Sequence, residues 1–336
     1  MIDDWKTRSR TTKTENLLNR RRFLHQSGAA ILTTALLSSC KGVLDDIFPG
    51  KNSKDQTLAF FGDSLTVGAG GTRPYGSVVA EALGNRPVLS DGIVGQVASS
   101  IAVRQGGTPL KITIEGNKLN GIQPVKITKL SNAFLSTPIN NNDYSRTGYV
   151  GGVRCTIRRT FVANQGDTYS ITPAAISVIS VPADSDFLLE DADRLKTATQ
   201  ILWYGRNDIG NGNAETEIIT ALDKSIAYIT SNRYVVLGVL LATKEIKGTA
   251  NYTQVTAINA KLATKYGKSF VEMTPPTDEE MTAINYTPSA EDRTDLANLN
   301  FPRGLRASAS DEIHLNDKGY QIIANRVTKK LKELKY

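Results

Sequence analysis

A short apolar segment followed by a glycine-containing turn constrains the fold of this chain more than any other feature. Residues 58–61 are apolar and partly aromatic, as expected for a buried strand, and Gly62-Asp-Ser64 follows them directly. In open α/β folds, ligands bind outside the carboxyl ends of the parallel strands. The sequence therefore predicts that the Ser64 hydroxyl lies at this edge of a sheet. The Ser64 backbone N–H would then lie near the start of a helix, where donors have no partner within the helix.

Apolar strands alternate with amphipathic helices on both sides of a β-rich segment, which predicts a doubly wound α/β fold. The predicted strands lie at 57–61, 87–90, 198–204, 234–241 and 269–273, and the predicted helices at 75–83, 97–103, 214–230, 252–266 and 317–335. The run at 234–241 is apolar almost throughout, as a parallel strand covered on both faces should be. We expect a five-stranded parallel sheet flanked by helices in a flavodoxin-like, three-layer arrangement.

The sequence between 107 and 190 has a different character. Apolar and polar residues alternate in several of its segments, which are rich in Thr, Ile, Val and Tyr and separated by turn residues. We expect an all-β insertion of five to seven strands, which interrupts an α/β domain formed by 57–106 and 191–336. Two interpretations of the insertion remain open. It lines a substrate cleft with Tyr144, Tyr149, Arg158 and Arg159, or it packs against the domain or a partner.

The N-terminal residues have the features of an export signal. Three arginines at 20–22 precede an apolar run at 28–37, which is about half of the ~20 residues that a membrane-spanning helix needs. The arginines followed by Phe-Leu resemble a twin-arginine signal, and Leu-Ser-Ser-Cys40 resembles a bacterial lipobox. We expect an export signal over 1–39, lipidation at Cys40, a tether over 40–56 and a location in the cell envelope, at the outer membrane if the host has two. The alternative is an uncleaved amphipathic start in which Cys40 is an ordinary small residue.

Charge and composition exclude several classes of function. The formal net charge is +7, but the first 39 residues hold seven Lys/Arg and only three Asp/Glu, so the rest of the chain carries +3 and a nucleic-acid partner is not indicated. Two cysteines exclude a disulfide framework and a Cys-rich zinc site. Because His25 lies in the leader, the exported chain keeps only His314, which excludes a metal site built on paired histidines.

Three further motifs accompany Gly62-Asp-Ser64. In chain order they are Gly92-Ile-Val-Gly95, Gly205-Arg-Asn-Asp208 and Asp311-Glu-Ile-His314. Together the four motifs resemble the SGNH, or GDSL-like, hydrolase family of serine esterases and lipases, over the segments 57–106 and 195–336. The glycine motif departs from the family in part, since Ser90 stands where an asparagine is usual and Val94 where a glycine is common.

These residue types suit nucleophilic catalysis. A serine becomes a nucleophile when a base removes its proton, and His314 is the available base. Asp311 lies three residues earlier and can orient the imidazole, so a Ser64–His314–Asp311 triad is predicted. The resemblance implies an oxyanion hole formed by the N–H groups of Ser64 and Gly95 and the side-chain amide of Asn207. It implies no metal and no organic cofactor.

The function implied is a serine esterase that removes acyl groups, acetyl among them, from a carbohydrate or another extracytoplasmic ester. We expect the protein to contact a membrane only through its lipid anchor. Two alternatives remain open. One is a surface lipoprotein that binds a glycan or a protein through the β insertion and has a non-catalytic hydrolase core, and the other is an acyltransferase.

Overall fold

The computed structural model describes residues 54–138 and 143–336, which contain thirteen β-strands and nine α-helices. The expectations for the export signal, for Cys40 and for most of the tether concern residues 1–53 and lie outside the described residues. The strands are β1 Leu58–Gly62, β2 Val88–Gly92, β3 Leu110–Ile114, β4 Lys118–Gly121, β5 Val125–Leu130, β6 Tyr144–Val150, β7 Val153–Val162, β8 Gly166–Pro173, β9 Ser177–Ser180, β10 Ser185–Leu189, β11 Thr199–Trp203, β12 Tyr234–Leu237 and β13 Phe270–Val271. The helices are α1 Ser64–Val67, α2 Tyr75–Ala82, α3 Ala98–Gln105, α4 Glu190–Leu195, α5 Ala214–Tyr228, α6 Ala250–Tyr266, α7 Asp278–Ala283, α8 Ala290–Ala297 and α9 Asp317–Glu333.

Five strands form one parallel sheet in the order β13-β12-β11-β1-β2. This is the flavodoxin-like order, and it confirms the predicted fold class. The order in which strands are added reverses at β1: β2 lies on one side of it, and β11, β12 and β13 follow on the other. In such sheets, ligands bind in the crevice at this point of reversal, here between β1 and β11. Gly62 at the end of β1 pairs with Trp203 at the end of β11, so the turns that carry Ser64 and Asn207 leave the sheet side by side.

Helices cover both faces of the sheet, as alternate residues of β1 require. Leu58 and Phe60 belong to a buried cluster that includes residues of α2 and α9. Ala59 and Phe61 belong to a second buried cluster, with residues of α3, α5 and α6. All four side chains are fully buried, which explains why this strand is apolar on both faces.

The segment between α3 and α4 forms a closed six-stranded barrel in the order β10-β3-β5-β8-β7-β6, and β4 and β9 pair as a separate two-stranded ribbon. Closure leaves the barrel without a free edge. Eight strands therefore lie in this part of the described chain, where five to seven were expected. Strands β4 and β6 contain polar residues and glycine, and each has a single buried side chain, Leu119 and Val150, so their sequences show little periodicity.

Some predicted elements are shorter in the structure. The strand expected at 234–241 ends at Leu237, because the following residues bond to side chains instead: Trp203 Nε1 donates to Gly238 O at 2.9 Å, and Asn259 Oδ1 accepts from Val239 N at 2.7 Å. Helix α9 begins at Asp317, where the predicted helix begins, and the Asn316 side chain caps it by accepting from Gly319 N at 3.1 Å. Among residues 54–138 and 143–336, none of the helices has the length and apolar character needed to cross a membrane.

Candidate active site

The turn after β1 presents Ser64 as the first residue of α1. The Asp63 carboxylate caps this short helix by accepting from Leu65 N at 3.0 Å. Both residues are almost fully buried, with Asp63 1% and Ser64 3% exposed. Burial raises the pKa of Asp63 to about 6, although the bond from Leu65 N opposes this shift. The nucleophile candidate therefore lies in a sheltered turn beside a buried acid.

The structure brings His314 and Asp311 to this serine. His314 Nε2 lies 3.0 Å from Ser64 Oγ, although 250 residues separate them in sequence. On the other side of the ring, His314 Nδ1 lies 3.1 Å from Asp311 Oδ2. The backbone at Gly70 lies close to His314 and Leu315, and its φ is +92°. A Cβ at this position would lie 3.2 Å from His314 Cβ and 2.8 Å from Leu315 O, so glycine is required there.

Asp311 is held as an acceptor. Its Oδ1 atom accepts from the backbone N–H groups of Ile313 at 2.9 Å and His314 at 2.7 Å. Burial acts to raise the pKa of Asp311, but these bonds and the imidazole outweigh it and lower the pKa below its usual value. An ionised carboxylate can only accept, so the ring proton lies on Nδ1 and Nε2 is free to accept the Ser64 proton. This is the arrangement that activates a serine.

Asn207 lies between the nucleophile turn and the glycine motif. Its Nδ2 atom donates to Asp63 Oδ2 and to Gln96 O, both at 3.0 Å. Asp63 directly precedes Ser64 and Gln96 directly follows Gly95, so the amide joins the two turns that carry the other predicted oxyanion donors. Both of its hydrogens have acceptors within the protein.

The N–H groups of Ser64 and Gly95 donate no hydrogen bond to any other residue within 54–138 and 143–336. At Gly95, φ is +75° and a Cβ would lie 2.3 Å from Pro138 Cδ, so only glycine fits this position. Two backbone donors without another partner among these residues and one amide nitrogen therefore lie in the turns that follow β1, β2 and β11, and such donors are what a developing oxyanion requires.

Arg206 is buried, although an arginine is ordinarily a surface residue. It forms an ion pair with Glu245, with Nη2 2.6 Å from Oε1, and both side chains are only 6–7% exposed. Arg206 also donates to Leu240 O. Because Arg206 directly precedes Asn207, this pair fixes the backbone on one side of the amide. On the other side, Asp208 accepts from Ala98 N at 2.9 Å at the start of α3.

Comparison with known proteins adds remote structural similarity. No family model matches the sequence, and no curated protein matches it. A lipase/acylhydrolase from Enterococcus faecalis shares 10% identity over 83% of this chain and 96% of its own, with a TM-score of 0.43. A lipolytic protein of the G-D-S-L family from Desulfitobacterium hafniense DCB-2 shares 10% over 82% of this chain and 99% of its own (TM-score 0.42). A peptidoglycan O-acetylesterase shares 15% over 87% of this chain and 94% of its own (TM-score 0.36).

The solved structures that this chain resembles thus include a lipase/acylhydrolase and a lipolytic protein of the G-D-S-L family. These are the proteins that the sequence motifs resemble. At identities of 10–15%, these likenesses concern the fold alone.

Sequence reasoning missed three residues that support the site. Asp63 and Gln96 accept hydrogen bonds from Asn207, and Arg104 donates one to Gln96. Gln96 is 3% exposed and Arg104 is 2% exposed. Asp63 and Gln96 each lie next to a motif residue, which was the available signal. Arg104 gave none, because an arginine in an amphipathic helix is ordinarily a surface residue.

Several other candidate side chains are engaged elsewhere. Arg159 is fully buried in the barrel and donates from Nε to Asp167 Oδ1 at 2.9 Å, so the expectation that it lines a cleft is wrong. Arg158 is exposed and paired with Asp143. Glu312, the other acid near the histidine, pairs with Lys244 instead.

Proposed function

We propose that this protein is a serine ester hydrolase in which Ser64 is the nucleophile, His314 the general base and Asp311 the residue that orients the histidine. One observation carries the proposal: Ser64 Oγ, His314 Nε2, His314 Nδ1 and Asp311 Oδ2 form a continuous chain with contacts of 3.0 and 3.1 Å. Side chains from opposite ends of the chain meet in the order that general-base activation of a serine requires.

The reaction proceeds in two steps. Ser64 Oγ attacks the ester carbonyl carbon while His314 Nε2 takes its proton, and a tetrahedral oxyanion forms. The oxyanion collapses, the alcohol leaves with the proton from Nε2, and an acyl group remains on Ser64. A water molecule then gives its proton to Nε2 and attacks the acyl carbon. The carboxylic acid leaves as Ser64 regains its proton, which restores the enzyme.

The oxyanion in both steps is assigned to the N–H groups of Ser64 and Gly95 and to the amide of Asn207. The two backbone donors have no other partner within the described residues. The Asn207 amide is immobilised by two acceptors, so an oxyanion must share one of its hydrogens with Asp63 or Gln96. A donor that is fixed before the reaction needs no reorganisation when charge develops.

The substrate is proposed to be an acyl ester of a carbohydrate or another extracytoplasmic alcohol, with acetyl esters as the first candidates. Export, lipidation at Cys40 and location in the cell envelope are proposals supported by the leader motifs. The membrane is contacted through the anchor alone, and no cofactor takes part.

The test is hydrolysis of p-nitrophenyl esters of increasing acyl length and of acetylated oligosaccharides, together with labelling by a fluorophosphonate. Wild-type protein should release acid and become labelled at Ser64. Ser64→Ala should lower kcat by about 10⁴ or more and abolish labelling. Ser90→Ala is the matched control, because Ser90 lies on the neighbouring strand opposite Phe60 and should leave both readouts unchanged. Undiminished turnover in Ser64→Ala would refute the proposal.

A further inference from the structure

Gln96 connects the candidate oxyanion hole to the β-barrel. Its side chain is buried, and Nε2 donates to two carbonyls of the segment that joins β5 to β6: Phe134 O at 2.7 Å and Ser136 O at 3.0 Å. Its backbone carbonyl accepts from Asn207 Nδ2 at 3.0 Å. One residue therefore contacts the barrel with its side chain and an oxyanion donor with its backbone, and it directly follows Gly95.

Arg104 holds the same residue from the side of the sheet. Its Nε donates to Gln96 Oε1 at 2.8 Å, its Nη2 donates to Gly62 O at 2.7 Å, and its Nη1 donates to Asp91 O at 2.9 Å. The buried guanidinium thus joins Gln96 to the carboxyl ends of β1 and β2. Its charge is balanced by the Asp91 carboxylate, 2.7 Å from Nη1.

The barrel contributes further contacts to the same loop. Thr137 Oγ1 donates to Val94 O at 2.8 Å, and Pro138 packs against Gly95 so closely that a Cβ at Gly95 would lie 2.3 Å from Cδ. Arg146 of β6 pairs with Asp91 at the end of β2. Residues 134–138 therefore contact three consecutive residues of the glycine motif, Val94, Gly95 and Gln96.

We propose that Gln96 is a positioning residue for catalysis and that the barrel, through residues 134–138, holds the glycine motif so that the Gly95 N–H and the Asn207 amide face the oxyanion. This rests on the proposed function. It assigns the insertion a role in the chemical step itself. The reason is geometric: Gly95 is in a left-handed conformation in a loop, and the contacts from the barrel and from Arg104 fix its orientation.

Gln96→Glu is the most selective test. The new carboxylate keeps an oxygen for Arg104 Nε but puts an acceptor against Phe134 O and Ser136 O, which separates the loop from the barrel. We expect kcat to fall about 10- to 100-fold, while KM changes less than about threefold. This decrease in kcat is smaller than the one caused by removing an oxyanion donor altogether. The rate of phosphonylation of Ser64 by a fluorophosphonate should fall in parallel, because its phosphoryl oxygen occupies the same hole.

Gln105→Glu is the matched control. Gln105 is fully buried at the end of α3, next to Arg104, and its Nε2 also donates to two oxygens, Gln200 Oε1 at 2.7 Å and Ser225 O at 3.2 Å, but it does not contact the glycine motif. The Gln105→Glu variant should lower the melting temperature as Gln96→Glu does, but it should leave kcat unchanged. A role for Gln96 in stability alone would lower the melting temperature equally in both variants without a difference in kcat.

Thr137→Val tests the same connection from the barrel side if Gln96→Glu does not fold. It removes the bond to Val94 O and should lower kcat about threefold or more at constant KM. If kcat stays within threefold of the wild type in a folded Gln96→Glu, or is unchanged in Thr137→Val, the positioning role is wrong while the esterase proposal stands. Retained hydrolysis in Ser64→Ala would instead overturn the esterase proposal and this inference with it.

Discussion

Replacing Asp311 by asparagine should disable the site through the tautomer of His314. Asp311 Oδ1 accepts from two backbone N–H groups, at 2.9 and 2.7 Å. An asparagine must put its carbonyl oxygen in that place, because the opposite rotamer would set NH₂ against two donors. Its NH₂ group then takes the position of Oδ2, 3.1 Å from His314 Nδ1, and donates to it. The ring proton moves to Nε2, which can no longer accept from Ser64.

The expected loss is about 10⁴ in kcat, equivalent to about 5 kcal/mol of transition-state stabilisation, as for other serine triads with the wrong tautomer. The assay is hydrolysis of p-nitrophenyl acetate at neutral pH, with the melting temperature measured in parallel. Glu312→Gln is the matched control. It neutralises the adjacent acid, which is 41% exposed and paired with Lys244 away from the ring, and it should keep full activity. An Asp311→Asn variant within tenfold of the wild type would refute this reasoning.

The remaining predictions concern the support of the site. Glu245→Gln leaves the buried guanidinium of Arg206 without its counter-charge, and should lower the free energy of unfolding measured in urea by about 3 kcal/mol. The control is Glu279→Gln, at an exposed position, which should leave the free energy of unfolding almost unchanged. Gly95→Ala meets both the left-handed backbone and a proline ring and should lower kcat/KM at least tenfold, whereas Gly116→Ala, at a φ of +67° with nothing within 4 Å, should reduce stability slightly and leave kcat/KM unchanged. Because burial raises the pKa of Asp63 from 3.8 to about 6, the native state binds more protons than the unfolded state in that range, so the contribution of Asp63 to stability falls as pH rises through it. Relative to the wild type, the unfolding free energy of Asp63→Asn should therefore increase by about 2 kcal/mol between pH 4 and pH 7, and a difference independent of pH would contradict this.

The parallel sheet was predictable because its signals are local. Each strand of the sheet contains a short apolar run, and the runs alternate with helices whose apolar faces have helical spacing. Leu58 to Phe61 are buried on both faces, so the sequence of β1 identifies a covered parallel strand without knowledge of its neighbours. The four motifs were recognisable for the same reason, since each lies within a few residues at the end of a strand or before a helix.

The barrel was predictable as β structure but not as a closed barrel. Strand pairing such as β10 with β3 joins residues about 75 apart, and no local pattern specifies it. The side chains that support the site were also not predictable. Arg104 and Arg206 are buried only because Asp91 and Glu245 reach them from distant segments, and charged residues in isolation indicate an exposed surface.

The buried carboxylate of Asp63 illustrates how stability and function conflict at this site. Its raised pKa means that the anion is unfavourable where it lies, and an apolar residue in that place would remove this penalty. Yet Asp63 Oδ1 caps α1 at the nucleophile, and Oδ2 accepts from Asn207 Nδ2. An anionic acceptor makes a stronger hydrogen bond than a neutral one, so the carboxylate holds the amide nitrogen more firmly beside the turn that carries Ser64. Gln96 O fixes the same nitrogen from the side of the barrel. The hydrogen bond from Asn207 to Asp63 therefore links an unfavourable buried charge to one of the candidate oxyanion donors.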